Sequence, residues 1–69
     1  MRNDIFLMEM GKKIKAARKE KKITLRELGK LCELDYSSIS RIENGQKDSH
    51  ILTLKNIADK LNVDVKDFI

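Results

Sequence analysis

The chain has 69 residues, with 15 Lys and Arg, 11 Asp and Glu, and a formal net charge of +4 at pH 7. This length allows one domain with a small core and leaves no room for a deep catalytic cleft. A single cysteine excludes an internal disulfide, and together with a single histidine it argues against a zinc site. No apolar run approaches the ~20 residues that cross a bilayer. We therefore expect a soluble cytoplasmic protein without membrane contact, metal or cofactor.

The positive charge is concentrated in the first third of the chain. Residues 1–22 carry eight basic and three acidic side chains, a net of +5, whereas residues 23–48 carry a net of −1. A basic stretch is commonly a solvated helix face, but a basic surface also attracts polyanions. Charge alone leaves both interpretations open.

Helix-forming residues are abundant and proline is absent, so we predict an all-α fold of five helices. The first helix begins in the segment 4–10 and ends near Glu20. A second helix follows Thr24, because Thr24 and Glu27 have the spacing of a capping box, in which each side chain bonds the other residue's backbone N–H. This second helix is predicted to end near Cys32.

A third, short helix follows almost at once. Asp35 is predicted to cap it, with its carboxylate facing the free N–H groups of the first turn. Ile39 and Ile42 give this helix one inward face. Gly45 is predicted to end it, because glycine adopts the left-handed conformation that a helix end needs.

The clearest amphipathic pattern in the chain belongs to the fourth helix. Ser49 is predicted to cap it, and its inward positions recur at helical spacing at Ile51, Leu54, Ile57, Ala58 and Leu61. Asp64 is then predicted to cap a last turn that brings Val65 and Phe68 to the core.

Two short helices joined by about three residues have the pattern of a helix-turn-helix. The outer positions of the second of these helices are small and polar: Tyr36, Ser37, Ser38, Ser40 and Arg41. Short hydroxyl side chains allow a helix to approach a groove closely, and an arginine can bond two acceptors of a guanine edge. Serine is a weaker helix former than the Glu, Lys and Gln typical of a solvated face. The pattern therefore favours binding in a groove of DNA.

The segment 23–65 resembles the lambda-repressor-like helix-turn-helix family of phage repressors and Cro proteins. The resemblance is carried by Thr24 and Leu28 of the first motif helix, by SSISRIENG in the second, and by LKNIADKLNV in the helix after it. It implies a compact five-helix DNA-binding domain over residues 1–69, with the helix-turn-helix at residues 24–44.

The resemblance also implies roles for individual residues. The helix from Tyr36 to Glu43 would lie in the major groove, with base edges contacted by Tyr36, Ser37, Ser40 and Arg41. The DNA phosphates would be contacted by residues around it: Thr24, Leu25, Lys30, Ser38, Asn44, Gln46 and Lys47. Arg18 and Glu43 match positions that form a largely buried ion pair in some relatives, which gives Glu43 a structural role.

Four positions depart from the family pattern. Leu25 stands where relatives usually have a Gln that contacts phosphate and braces the recognition helix, so only backbone donors remain there. Gly29 replaces an Ala where two helices pack closely. Glu33 replaces the usual turn glycine, and we expect it at positive φ at a cost of about 1 kcal/mol. Ser49 stands where Pro is common, which is harmless because Ser caps helices well.

We therefore predict a transcriptional regulator that binds double-stranded DNA in a sequence-specific manner, as a homodimeric repressor on a pseudo-palindromic operator. The dimer contact is expected in the terminal helix, residues 65–69, and in the N-terminal extension of the first helix, residues 1–9, with its apolar segment from Ile5 to Met10. Both ends of the chain carry more apolar residues than so small a core requires.

Two alternatives to a homodimeric repressor also involve DNA binding. An antitoxin-like protein would bind a second protein as well as DNA, and a restriction-modification controller protein would activate as well as repress. A small enzyme is the third alternative. We find no paired carboxylates, no glycine-rich phosphate loop and no Cys–His pair at plausible spacing, so we expect no catalytic activity.

Overall fold

The structure, a computed structural model, describes residues 4–69 and contains within them four α-helices and one 3₁₀ turn. The helices are α1 (Asp4–Glu20), α2 (Leu25–Cys32), α3 (Tyr36–Glu43) and α4 (Ile51–Leu61), and the terminal turn is Val65–Phe68. The all-α prediction is confirmed. The fifth element is a 3₁₀ turn of four residues instead of an α-helix. The Asp64 side chain caps this turn by accepting from the Lys66 N–H.

The core takes side chains from all five elements. Its buried apolar members are Met10, Ile14, Leu28, Cys32, Ile39, Ile42, Leu54, Ile57, Ala58, Leu61 and Phe68. Phe68 is 1% exposed, so the terminal turn closes the core against α1 and α4. Ile51 was predicted to face inward but is 56% exposed, because it is the first residue of α4 and contact with the core begins one turn later, at Leu54.

All four α-helices end in the same way. The residue that turns the chain has positive φ, and the N–H of the next residue donates to a carbonyl five positions earlier, as in a Schellman motif. The positive-φ residues are Lys22, Glu33, Gly45 and Asn62. The prediction for Glu33 is confirmed, with φ of 59°. The left-handed conformation costs a residue with a Cβ about 1 kcal/mol, so this fold tolerates local strain to make its sharp turns.

The helix starts are less uniform. The predicted capping box is present: the Glu27 N–H donates to Thr24 Oγ1 at 3.1 Å, and the Thr24 N–H donates to Glu27 Oε1 at 2.8 Å. Asp35 occupies the cap position of α3, but its carboxylate makes no capping hydrogen bond. The Ser38 N–H, which would be its donor, bonds the Asp35 backbone carbonyl instead.

The cap of α4 differs from the prediction by one residue. His50 occupies the position that Ser49 was expected to fill, and the His50 side chain makes no capping hydrogen bond. The Ser49 N–H donates to Asp48 Oδ1 at 2.7 Å, which holds Ser49 in the preceding loop. Its hydroxyl is buried without a partner among the residues described. The first turn of α4 therefore has no side-chain cap within the part of the chain that the structure covers.

Two charged side chains are buried in the described part of the chain, Arg18 and Glu43, and they bond each other. Arg18 Nε donates to Glu43 Oε2 at 2.7 Å and Nη2 donates to Oε1 at 3.1 Å. The remaining terminal nitrogen of Arg18 donates to the carbonyl of Ile23 at 2.9 Å. One guanidinium thus joins the last turn of α1, the loop before α2 and the end of α3.

Close backbone contact reinforces this junction of α1 and α3. A Cβ at Gly11 would overlap the backbone carbonyl oxygens of Ile42 and Glu43. Glycine inside a helix costs about 1 kcal/mol relative to alanine, and here it lets α1 lie directly on the last turn of α3. The first turns of α1 continue past this contact, and Met8 packs against Gly45.

Replacing Glu43 with alanine should unfold the domain more easily, because it leaves the Arg18 guanidinium buried without its counter-charge. We expect the free energy of unfolding to fall by about 3–5 kcal/mol. Glu9→Ala is the control, since the Glu9 carboxylate is exposed and lies 3.9 Å from Lys12. Its loss should cost less than about 1 kcal/mol. Urea titrations of both variants check this, and equal stabilities would contradict a structural role for the buried pair.

The stability of the domain should depend on the ionisation of Glu27. Hydrogen bonds from the Thr24 backbone and side chain hold the pKa of Glu27 below its ordinary value of 4.5. A lowered folded-state pKa means that the ionised form stabilises the fold. This contribution is complete above pH 4.5 and is lost as the pH falls through the folded-state value.

Glu27→Gln isolates this effect, because the amide still accepts a hydrogen bond but does not titrate. We expect the native chain to be the more stable of the two at neutral pH and the difference to shrink as the pH falls below 4.5. Urea midpoints measured across that range check it. A difference that stays constant with pH would show that the charge of Glu27 is irrelevant.

Candidate nucleic-acid interface

The short helix α3 has two chemically distinct faces. The buried face consists of Ile39, Ile42 and Glu43. The opposite face carries the four predicted base-contacting residues Tyr36, Ser37, Ser40 and Arg41. Tyr36 is 46% exposed, Ser37 and Arg41 are exposed, and Ser40 is half-buried. Because residues four apart on a helix are neighbours, Tyr36 adjoins Ser40, and Ser37 adjoins Arg41. These four side chains therefore form one small polar surface.

The loop after α3 is fixed to the helix by its own backbone. The Gln46 N–H donates to the Arg41 carbonyl at 2.9 Å, and Gly45 makes the turn with φ of 73°. Asn44, Gln46 and Lys47 are exposed on this loop. A Cβ at Gly45 would lie 2.8 Å from Met8 Cγ, so α1 packs directly against the loop at this glycine. Three predicted phosphate contacts are thus held close to the end of the polar surface of α3.

The start of α2 holds two further predicted phosphate contacts, Thr24 and Leu25. The first N–H groups of a helix have no intrahelical partner and attract anions. Leu25 is half-buried against the core and offers only its backbone, as expected. The Glu27 carboxylate, bonded to the Thr24 N–H, occupies part of this helix end. A phosphate here would lie beside a carboxylate, so this end needs a cation nearby.

Arg26 is a cation at that end which the sequence analysis did not assign. Its guanidinium carbon lies 4.8 Å from the centre of the Tyr36 ring. Arg26, Lys30 and Tyr36 line a shallow groove between α2 and the start of α3, together with the exposed acids Glu33 and Asp35 of the turn. The sequence analysis assigned Thr24 and Leu25 at the start of the same helix as phosphate contacts, but not Arg26. The sequence signal for the contact between Arg26 and Tyr36 was the exposed position of both residues on helices joined by a short turn.

Ser38 lies apart from the other predicted contacts on α3. It is half-buried and lines a groove between α3 and the start of α4, together with Lys47, Ser49 and His50. The groove has an exposed cationic rim at Lys47. The structure therefore brings Ser38 close to the loop contacts and separates it from the row of Tyr36 and Ser40.

Cys32 is buried on the apolar face of α2. Burial raises the pKa of its thiol, which keeps it protonated and unreactive at neutral pH. Within residues 4–69, no three His, Cys, Asp or Glu side chains are grouped so that they could hold a metal ion. No helix among these residues is both long and apolar enough to cross a membrane.

Comparison with known proteins identifies the family. The family model HTH_3, described as a helix-turn-helix, matches residues 14–68. No curated protein matches the chain closely enough to count as a relative.

Solved structures share the fold. A mutant of the restriction-modification controller protein C.Esp1396I is 32% identical, with a TM-score of 0.83 over 91% of this chain and 80% of that one. The controller protein C.AhdI from Aeromonas hydrophila is 22% identical, with a TM-score of 0.88 over 91% of this chain and 96% of that one. An HTH_3 family transcriptional regulator from Vibrio cholerae is 24% identical, with a TM-score of 0.89 over 97% of this chain. The present chain spans only 38% of that regulator's length.

The match covers the buried pair, both motif helices and the terminal turn. The predicted resemblance to lambda-repressor-like proteins is thereby confirmed. The chain belongs to the HTH_3 helix-turn-helix family of DNA-binding transcription regulators.

Proposed function

We propose that this chain is a transcriptional repressor that binds a pseudo-palindromic operator as a homodimer, with α3 in the major groove. One observation carries the proposal: α3 packs against the core with one face and presents on the other a polar surface in which Arg41 supplies the charge. The hydroxyl and guanidinium groups of this surface match the hydrogen-bond donors and acceptors on base edges in the major groove. The family is one of DNA-binding transcription regulators, which supports this use.

The proposed contacts divide into two groups. Tyr36, Ser37, Ser40 and Arg41 would read bases. The sugar–phosphate backbone would be contacted by residues in and beside α2 and α3: Thr24, Leu25, Lys30, Ser38, Asn44, Gln46 and Lys47. Phosphate contacts supply affinity and register, whereas base contacts supply preference. Because residues 23–48 carry a net charge of −1, binding would rest on these placed groups and not on bulk charge.

The proposed dimer contact is apolar. Phe68 is buried, so within residues 65–69 the exposed large apolar side chain is Ile69, at 56%. Ile51 and Leu52, at 56% and 76% exposed, add two more on α4, and α4 packs against the terminal turn. We place the dimer contact on these three side chains. Two copies joined there would present their α3 helices to major grooves about 34 Å apart.

A second candidate function is that of a restriction-modification controller. It is favoured by the 32% identity to C.Esp1396I and by the shared fold of C.AhdI, both of which are described as controller proteins. The two functions use the same interface and differ in where the operator lies relative to the promoter. A reporter gene placed behind the native upstream sequence distinguishes repression alone from repression combined with activation.

The proposal is tested by selecting bound sequences from a random pool of duplex DNA at a stated salt concentration. We expect enrichment of an inverted repeat whose half-sites are one helical turn apart, centre to centre. Enrichment of a single half-site would contradict the dimer. Recovery of sequences no different from the starting pool would contradict sequence-specific binding.

Arg41→Ala should weaken binding to the selected operator and relax base preference at one position in each half-site. We expect a loss of about 1–3 kcal/mol, the discrimination of a bidentate arginine contact. Lys47→Ala is the contrast, because a phosphate contact carries no sequence information. It should weaken all sequences alike and lower the slope of log affinity against log salt by about one. Equal binding of every operator variant by Arg41→Ala would show that Arg41 does not read a base.

Leu52→Lys should separate the dimer, because it places a charge in an apolar contact between copies. Sedimentation equilibrium should then give a monomer at concentrations where the native chain is dimeric. Ile5→Lys is the matched control, since Ile5 is 75% exposed at the far end of α1. If Ile5→Lys separates the copies and Leu52→Lys does not, the dimer contact lies in the N-terminal extension.

A further inference from the structure

Arg26 and Tyr36 form a stacked pair that joins the two helices of the motif. The guanidinium carbon lies 4.8 Å from the ring centre, within the range of a cation–π contact. Both side chains are exposed, so the pair lies on the surface and not in the core. Arg26 has no carboxylate partner and no side-chain hydrogen bond among the residues described.

Stacking leaves the binding capacity of arginine intact. A guanidinium contacts an aromatic ring through its flat face, whereas its N–H groups point outward in the plane of the group. The same side chain can therefore rest on a ring and bond an anion with its edge. An arginine edge matches two oxygens of a phosphate, and the charge is retained at every accessible pH.

The surroundings of Arg26 create a need for such a cation. The neighbouring Leu25 has no polar side chain, and the Glu27 carboxylate is fixed at the same helix end by the Thr24 N–H. Tyr36 is the first residue of α3, on the face proposed to enter the major groove. This groove is about 12 Å wide and is bordered by phosphates on both sides. A group stacked on the ring from the side of α2 lies at that border.

We propose that Arg26 binds a DNA phosphate with the edge of its guanidinium while its face fixes the ring of Tyr36. The inference rests on the proposed function, since it assumes that α3 enters the groove. It assigns Arg26 a role in base preference as well as in affinity. The base preference that Tyr36 contributes would depend on a residue that touches only the backbone.

The test measures affinity for the selected operator over a range of salt concentrations. Arg26→Ala should weaken binding about 10-fold and lower the slope of log affinity against log salt by about 0.9, the value for one phosphate contact. Lys19→Ala is the control. Lys19 is an exposed cation beside the terminal turn, away from α3, and its loss should change affinity less than about 2-fold.

Arg26→Lys separates the two parts of the role. Lysine keeps the charge but lacks the flat face, so the salt slope should stay near its native value. Preference at the base pair read by Tyr36 should nevertheless fall. If Arg26→Lys keeps both the slope and the preference, the stacked geometry has no part in recognition.

A double-mutant cycle with Tyr36→Leu measures how far the contribution of Arg26 to binding depends on the Tyr36 ring. Arg26→Ala should weaken binding about 2- to 5-fold less in the Tyr36→Leu background than in the native chain, the worth of an exposed cation–π contact. Equal effects in both backgrounds would overturn the coupling. Thermal unfolding of each variant separates a folding defect from a binding defect. If the native chain binds no sequence the proposed function fails, whereas native binding with an unchanged slope in Arg26→Ala overturns this inference alone.

Discussion

The bidentate bond between Arg18 and Glu43 fixes the end of α3 against α1. Glu43 ends α3 with a carboxylate that is almost fully buried, so the chain must provide a cation at that point. Arg18 provides it from α1 and also bonds the loop before α2, which fixes three segments around one charge. Buried ion pairs add little net stability compared with apolar packing, but breaking one is costly. The pair therefore acts on geometry: it favours the orientation of α3 in which Glu43 meets Arg18, and Gly11 allows the helices to approach that closely.

The placement of the acidic side chains bears on the proposed DNA contact of a segment whose net charge is −1. Three of its five acids are engaged locally: Glu43 is paired in the core, Glu27 is bonded in the capping box, and Asp48 accepts from the following N–H, whereas Glu33 and Asp35 are exposed. Its four cations remain on the surface at Arg26, Lys30, Arg41 and Lys47. Net charge summed along the sequence is therefore an incomplete guide to this surface, because folding pairs Glu43 with Arg18 in the core while the four cations stay exposed.

Local signals in the sequence predicted the parts of the fold that depend on neighbouring residues. The capping box at Thr24 and the inward positions of α3 depend on side chains a few positions apart, and both are confirmed. The left-handed Glu33, which the resemblance implied, is confirmed as well. Two cap predictions were wrong because a neighbouring acceptor takes the N–H: Asp48 accepts from the Ser49 N–H, and the Asp35 carbonyl, not its carboxylate, accepts from the Ser38 N–H. The contact between Arg26 and Tyr36 was missed because it exists only once α2 and α3 have docked. The roles of individual residues in DNA binding stay predictions.

The division of α3 into two faces has a consequence for how proteins with this scaffold diverge. Ile39, Ile42 and Glu43 bear on the core and on Arg18, so changes there act on the whole fold. Tyr36, Ser37, Ser40 and Arg41 lie outside the buried core, so their replacement should disturb the scaffold less. Descendants of this chain can therefore acquire new operators by exchanging a few surface side chains while the buried framework stays constant. In such lineages Tyr36 is the least independent of these positions, because its ring is also the support of Arg26.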